Sequence, residues 1–256
     1  MPTWHKVHCF TAIALLGVCP GPALLAESDM QGPEEALVSL QEPAGFDVGF
    51  RLQHDQRAIH LGGAEAGIAT DPEIDVFRIV ARAGGNPVPF LHLFGEAGWS
   101  EAEVNFEDEG DGGVTWGVGL QSIIVEHVIE ASPVVGTQRV LSLAVEAQFR
   151  QIASDLRTGE LEYDEFLVQP SLRYTHHRRG EQRWHPVAST GVQGEIGLAF
   201  STIDGDLGPI DTEEDSSVGL FLGTAFRIKE HWVTDLDAIL YGTSDFSLSL
   251  GWIYDF

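Results

Sequence analysis

The chain has 256 residues, and 14 lysines and arginines against 39 aspartates and glutamates give it a formal net charge of −25 at pH 7. Such acidity argues against nucleic acid as a partner, because phosphate groups repel carboxylates. The length suits one domain with loops and hardly two. Both cysteines, Cys9 and Cys19, lie near the N-terminus, so a disulfide framework does not stabilise the rest of the chain.

The first 28 residues have the pattern of a secretory signal peptide. Residues 10–18 (FTAIALLGV) form a short apolar run, and Ala26 and Ser28 are small residues at the spacing that a signal peptidase needs. The run is too short to span a bilayer as a helix, and cleavage after Ser28 is predicted. A lipoprotein signal at Cys19 is the alternative.

The next segment, residues 29–44, is acidic and contains two prolines, so we interpret it as a periplasmic lead-in. From residue 45 to the end, segments of about ten residues repeat in which apolar and polar side chains alternate, as they do along strands. Residues 53–68 are ambiguous, so the predicted number of strands is ten, with eight or twelve as alternatives. The ten predicted strands lie in residues 46–53, 74–82, 89–99, 114–124, 141–150, 166–174, 192–201, 218–227, 232–241 and 245–256.

The last strand has the clearest pattern. Its even positions from Phe246 to Phe256 are all apolar, and the positions between them are mostly small or polar. Three aromatic residues, Trp252, Tyr254 and Phe256, cluster at the end, where an interfacial girdle would lie. This ending resembles the C-terminal strand of bacterial outer-membrane β-barrels. The resemblance implies that these three aromatic residues form the signal that the barrel-assembly machinery reads.

The whole strand pattern resembles the small outer-membrane barrels of the OmpA, OmpW and opacity type, and the resemblance covers most of the chain after residue 28. It implies an all-β fold, a single antiparallel up-and-down transmembrane barrel over residues 45–256. It also implies a place in the cell outer membrane, in contact with its lipid, as a monomer without a cofactor. It carries no active-site residue across. A secreted soluble β-sandwich or lipocalin-like binding protein is the alternative, because its strands alternate too.

If the last strand descends to the periplasm, counting strands backwards sorts the charges between the two ends. Residues 101–113, 154–159 and 204–216 become extracellular loops, and most of the acidic residues fall on them or on the adjoining strand ends, Glu165 included. Residues 126–137, 174–186 and 229–231 become periplasmic connections. The largest basic cluster falls there: His176, His177, Arg178, Arg179 and Arg183.

The second face of the strands would then line the lumen with charges of both signs, which we expect to pair as an ionic network. Asp235 and Asp237 are expected to pair with Arg227. Because paired charges fill a narrow tube, little or no steady conductance is expected. The predicted lumen residues are Asp47, Arg51, Arg78, Arg82, Glu96, Gln121, Glu146, Arg150, Arg173, Glu195, Arg227, Asp235 and Asp237.

The sequence contains no clear motif for catalysis or metal binding. The His-x-Ser pair of lipid A deacylases does not occur, and Asp235 and Asp237 lie toward the wrong end for an omptin-like protease. Asp204, Asp206, Asp211 and Glu213 could hold Ca²⁺ through their oxygens, although a solvated acidic loop is the favoured interpretation, because their spacing matches no defined Ca²⁺ loop. The predicted function is therefore a non-enzymatic outer-membrane barrel with acidic extracellular loops and a structural or adhesive role. A narrow cation-preferring porin is the alternative.

Overall fold

The structure, a computed structural model, describes residues 45–58, 60–62, 73–88, 90–104, 108–109, 112–132, 137–156, 159–178, 192–207, 210–229, 232–242 and 245–256. All of them belong to one unit, Ser39–Phe256. The predicted signal peptide and lead-in lie outside the described residues.

Every regular element in the described part of the chain is a β-strand. Ten strands are long, and two, β2 and β5, have three and two residues. The strands are β1 (Phe46–Ala58), β2 (His60–Gly62), β3 (Glu73–Val88), β4 (Leu91–Val104), β5 (Asp108–Glu109), β6 (Gly113–Ser132), β7 (Thr137–Leu156), β8 (Gly159–Arg178), β9 (Val192–Leu207), β10 (Ile210–Lys229), β11 (Trp232–Leu240) and β12 (Phe246–Asp255).

The ten long strands form a closed up-and-down barrel. Each pairs in antiparallel fashion with the long strand before and after it, and β12 pairs with β1 to close the sheet. Ten antiparallel strands and an all-β fold were predicted from the sequence, and both predictions are confirmed. The ambiguous residues 53–68 contribute the end of β1 and the short β2, which pairs with β10.

The strands are staggered around the barrel. The stagger shows when directly paired residues are traced around the barrel from Leu250. In one direction, through β1, β3 and β4, the trace reaches Val114 on β6. In the other direction, through β11, β10, β9, β8 and β7, it reaches a different residue of the same strand, His127. A closed barrel needs this stagger because its strands tilt against the barrel axis.

We name the two ends of the barrel by what they carry. The acidic end is the one at which β1 ends and β3 begins, and exposed carboxylates of three strands lie there. The C-terminal end is the opposite one, where Phe256 lies beside Phe46, with the ring centroids 5.8 Å apart. The exposed acidic residues at the acidic end include Glu101, Glu162, Asp164, Asp204 and Asp206.

Alternation assigns every second side chain to the lumen. In β12, Ser247, Ser249 and Gly251 are buried inside, whereas Leu248 points outward and is exposed. Gly251 is required at its position, since a Cβ atom there would lie 2.2 Å from Asp235 Oδ1. The even-numbered positions of this strand therefore form its outer face, as the sequence predicts.

The outer face is apolar on all ten long strands, and the lumen is charged. Exposed leucine, isoleucine, valine and aromatic side chains cover the wall, and Trp232 and Tyr254 form an aromatic pair at the C-terminal end with centroids 5.2 Å apart. This arrangement inverts that of a soluble sandwich, which buries its apolar side chains between two sheets. An apolar band outside and polar groups inside characterise barrels of bacterial outer membranes. The chain is therefore a membrane-spanning barrel of that type.

No helix in the described residues is long and apolar enough to cross a membrane.

Several predicted loops are strands in the structure. Residues 204–216 were expected to form an extracellular loop, but β9 continues to Leu207 and β10 begins at Ile210. Residues 126–137 were expected to be a connection, but β6 continues to Ser132. Cross-strand pairing extends the sheet well past the segments whose side chains alternate clearly, because backbone hydrogen bonds need no apolar face.

Candidate functional site

The lumen is the candidate site, because it collects most of the buried charges of the described residues. Near the acidic end, Arg78 donates to Asp55 over 2.7 Å between Nη2 and Oδ2. Gln53 holds the same carboxylate, donating from Nε2 to Asp55 Oδ1 over 2.9 Å and to Ser247 over 3.0 Å. Arg78 is 1 % exposed, so this ion pair is shielded from water.

A second group of charges centres on Glu165. Arg57 and Arg150 each lie 3.5 Å from one of its two oxygens. Arg57 also donates to Ser201 over 2.6 Å, and Ser201 donates to Glu165 over 3.0 Å. The guanidinium of Arg57 lies 3.6 Å from the ring centroid of Tyr241, a cation–π contact. These contacts tie β1, β7, β8 and β9 together across the lumen.

In the middle of the lumen, Arg51 bridges two carboxylates of β11. Its Nη2 lies 2.9 Å from Asp235 and 3.6 Å from Asp237. Across the lumen, Arg173 pairs with Glu195 over 3.2 and 3.3 Å, and Ser171 donates to the same glutamate. Removing either partner of such a buried pair leaves an uncompensated charge, which is costly.

A small cavity of about 50 Å³ lies beside these pairs. It has room for a few water molecules. Glu146, on its wall, accepts a hydrogen bond from Gln121 over 3.1 Å, and Arg82 stacks on the Phe94 ring at 3.6 Å. The charged residues that line the cavity are Arg51, Arg82, Arg173, Glu146, Glu195, Asp235 and Asp237.

The C-terminal end of the lumen holds two further pairs. His92 and Asp47, both almost fully buried, lie 2.7 Å apart, and Arg227 donates to Asp255 over 3.1 Å. Gly84 leaves room for the first pair, because a Cβ atom there would lie 2.5 Å from His92 Nε2.

An apolar cluster lies inside the barrel at the acidic end. Side chains from β3, β4, β7, β8 and β9 meet there, above the Arg78 and Glu165 groups. The cluster is an unfavourable environment for water, because its members are buried and carry almost no polar atoms. Its members are Ile74, Val76, Ala102, Ile152, Leu161, Tyr163 and Ile203.

The structure brings the predicted lumen residues together inside the barrel, but some partners differ from those expected. Asp235 and Asp237 pair with Arg51, and Arg227 pairs with Asp255. The expectation that Arg227 would hold the two aspartates is wrong, because Arg227 lies nearer the C-terminal end than either aspartate. Glu165 was expected on an outer loop or strand end, and it is buried within β8.

Other members of the network were missed in the sequence. Asp55 and Arg57 lie in the ambiguous stretch after residue 53, and His92, the partner of Asp47, is not among the predicted lumen residues. The signal that could have found the first two is simple alternation, since Arg51, Gln53, Asp55 and Arg57 continue one face of β1.

The four residues of the Ca²⁺ hypothesis are opposed across the β9–β10 pair. Asp206 faces Asp211, and Asp204 faces Glu213. Among the side chains that the structure describes, no group of three or more acidic, histidine or cysteine residues is arranged to hold a metal ion. Calcium binding by these residues stays a prediction.

The aromatic residues of the last strand lie on the outer face at the C-terminal end. Trp252 stacks on Phe50 with centroids 4.8 Å apart, and Tyr254 packs edge-on against Phe256 at 4.9 Å. They are thus exposed to the membrane side of the wall. Their role as an assembly signal stays a prediction.

Comparison with known proteins finds no matching family model and no matching curated protein. Among solved structures, Neisserial surface protein A aligns at 12 % identity over 84 % of this chain and 100 % of its own, with a TM-score of 0.31. The transport unit of the autotransporter AIDA-I from Escherichia coli aligns at 10 % identity over 89 % and 94 %, with a TM-score of 0.41. The outer membrane protease OmpT from Escherichia coli aligns at 9 % identity over 83 % and 96 %, with a TM-score of 0.34. Similarity at this level assigns no function.

Proposed function

We propose that this chain is a non-enzymatic outer-membrane barrel that forms no steady pore and acts through its exposed surfaces, in a structural or adhesive role. The acidic end would face outward, so that the carboxylates on the outer side of β8 and β9 meet the surroundings. Barrel lipid and the barrel-assembly machinery would be its obligatory partners, and a monomer is expected.

The apolar cluster at the acidic end is the observation that carries this proposal. Its members come from five strands and are buried against one another across the lumen. Beneath it, Arg57, Arg78 and Arg150 are held by Asp55 and Glu165. An ion that crossed the barrel would have to displace both an apolar layer and a paired ionic layer, and each displacement is costly.

Conductance in planar bilayers tests the proposal. The purified protein should give little or no steady current, because an ion would have to pass the apolar cluster and the ion pairs beneath it. Ile152→Ser and Leu161→Ser, both within the cluster, should raise the frequency of channel openings. Leu143→Ser, the matched control on the outer wall, should not change that frequency. Large, stable, salt-proportional conductance of the wild-type protein would overturn the proposal.

A narrow cation-preferring porin is the second candidate, and the cavity favours it. Four carboxylates and three arginines line that space, so its formal charge favours cations over anions. If rare openings occur, they should select cations, and Glu146→Gln should make them more frequent, since the loss of that charge frees the nearby arginines to move. Anion-selective openings would exclude this candidate.

A further inference from the structure

The charged side chains inside the lumen form three layers, and the layer nearest the acidic end is electrically balanced. Glu96 belongs to this layer because its side chain adjoins that of Arg150 over Gly117. A Cβ atom added to that glycine would lie 3.2 Å from the Cγ atoms of both residues. The layer therefore has equal numbers of arginines and carboxylates, namely Arg57, Arg78 and Arg150 with Asp55, Glu96 and Glu165.

The layer at the C-terminal end can be balanced as well. Arg227 forms an ion pair with Asp255. His92 lies 2.7 Å from Asp47, and this pair is neutral when the histidine carries a proton, as the side chain is able to do.

The middle layer, around the cavity, has more negative than positive charge. Four carboxylates and three arginines line the cavity. Two of the carboxylates share one arginine, since Arg51 lies 2.9 Å from Asp235 and 3.6 Å from Asp237. The other charged residues on the cavity wall are Arg82, Arg173, Glu146 and Glu195. A buried charge without compensation is costly, so this layer needs one further positive charge.

The cavity also has polar side chains that are free to bind an occupant. Gln169 and Gln193 line it and are only 8 % and 5 % exposed. Within the part of the chain that the structure describes, neither side-chain amide has a hydrogen-bond partner. Asp237 lines the cavity too, and 26 % of its side chain is accessible. Carboxylate and amide oxygens are the atoms that coordinate hard cations.

The charge and the size of the cavity favour a small monovalent cation. One positive charge completes the balance, whereas a divalent ion would reverse it. A volume of about 50 Å³ holds an ion with a few water molecules but no organic cation. A divalent ion also needs several anionic ligands that converge. Among the described side chains, no three acidic, histidine or cysteine residues are arranged in that way.

We propose that the cavity in the middle of the lumen binds one Na⁺ or K⁺ ion as a part of the ionic network. Asp235 and Asp237 supply its negative partners, and the amides of Gln169 and Gln193 and water complete its coordination. Asp235 Oδ1 has no hydrogen-bond partner within the described residues, so it too is available to the ion. This site goes beyond the proposed function, because a fixed ion stabilises the barrel whether or not the barrel conducts.

Urea unfolding of the purified protein in phosphatidylcholine vesicles tests the proposal. NaCl or KCl is replaced stepwise by N-methyl-D-glucamine chloride, whose cation is too large for the cavity, and constant ionic strength keeps screening the same. The unfolding equilibrium constant should fall as the Na⁺ or K⁺ concentration rises. Once the site is mostly filled, the fall should approach about tenfold for each tenfold rise in concentration, since only the folded protein binds the ion.

Asp237→Asn removes the excess charge and keeps the shape of the side chain. The variant should lose the dependence on Na⁺ and K⁺, and it should be no less stable than the wild-type protein in N-methyl-D-glucamine chloride. Asp204→Asn is the matched control, because Asp204 is an exposed aspartate on the outer face of β9. It should keep the dependence of the wild-type protein.

Crystals of the wild-type protein prepared with thallium(I), which substitutes for K⁺, locate the ion without any variant. An anomalous peak should appear beside Asp237.

Three outcomes would overturn the proposal. An equal dependence on Na⁺ and K⁺ in Asp237→Asn would mean that the ions act on carboxylates elsewhere. A wild-type stability that ignores both ions, but falls with rising pH unless Asp237 is replaced, would mean that a proton supplies the balancing charge. Anomalous peaks only outside the lumen would mean that the cavity holds no cation.

Discussion

Arg78 lies in the lumen with almost no contact with solvent and depends on Asp55 for its charge balance. A guanidinium in such a place is stable only while its partner stays ionised and close, since desolvation of an unpaired charge costs several kcal/mol. Gln53 and Ser247 fix the partner in turn. The contributions of Arg78 and Asp55 to stability therefore depend on each other and cannot be assigned to either residue alone.

Replacing one member of this unit should cost more than replacing both. Arg78→Met and Asp55→Asn should each lower the free energy of unfolding by about 3–5 kcal/mol, while the double variant should lose clearly less than the sum. Urea unfolding in lipid vesicles, followed by tryptophan fluorescence, measures all three. Thr202→Val, at an exposed position of β9, is the control and should change stability by less than about 0.5 kcal/mol. Strict additivity of the two lumen variants would contradict the pairing.

Adjacent positions in β12 should respond differently to the same residue. Leu250 faces the membrane between Leu52 and Leu236, so Leu250→Arg should destabilise the barrel by about 2–4 kcal/mol near mid-membrane. Ser249 faces the lumen and is buried, so Ser249→Arg should act through crowding among the lumen charges. The free energy of unfolding of each variant in lipid vesicles measures the difference. Equal stability of the two arginine variants would contradict the assignment of Leu250 to the outer face and Ser249 to the lumen.

At the scale of the strand, alternation in the sequence predicts which face each residue occupies but not where a strand ends. Val114–Leu120 and Phe246–Phe256 were predicted well, because one face there is uniformly apolar. The β9 and β10 ends around residues 204–216 were interpreted as a loop, since about half of the residues there are aspartate or glutamate and Gly208 and Pro209 lie between them. Pairing between neighbours forms those strands, and no local pattern in the chain reports it.

Which residues pair inside the lumen was harder to predict than which residues face it. The face follows from whether a residue occupies an odd or an even position along its strand, and this pattern predicted that Arg51 and Asp235 point inward. Their pairing depends on the stagger of strands that lie far apart in the sequence. That stagger emerges only when the barrel closes, and this is why Arg227 was given the wrong partners.

The rows of carboxylates on β8, β9 and β10 oppose like charges directly. Asp164 faces Asp204, and Glu162 faces Asp206. Such pairs destabilise a sheet by roughly 0.2–1 kcal/mol each. Asp204→Asn and Asp206→Asn should therefore raise the free energy of unfolding at low ionic strength, and the gain should shrink in high salt because salt screens the repulsion. Thr202→Asn on the same strand is the control. Destabilisation by the aspartate variants, in metal-free buffer, would show that these carboxylates support the fold.

At the scale of the whole molecule, the orientation in the membrane decides which end meets the environment. The acidic end should be outward. An epitope tag inserted between Gly208 and Pro209, which follow the last residue of β9 and precede the first of β10, should be accessible to antibody on intact cells. A tag between Arg179 and Gly180 should become accessible only after the cells are permeabilised. The reverse labelling pattern would invert the topology.

The pairing of β1 with β12 also sets the order of events during biosynthesis. The first strand of the barrel has to wait for the last one, since Phe50 finds Trp252 and Leu52 finds Leu250 only when almost the whole chain has been made. Contacts so distant in sequence form slowly, and the intermediate exposes unpaired strands that aggregate readily. Until closure, therefore, the chain is an open sheet whose two uncovered edges favour aggregation. A truncation that removes only β12 should leave β1 and β11 as two permanent edges, and degradation of the chain rather than a smaller barrel is the expected fate.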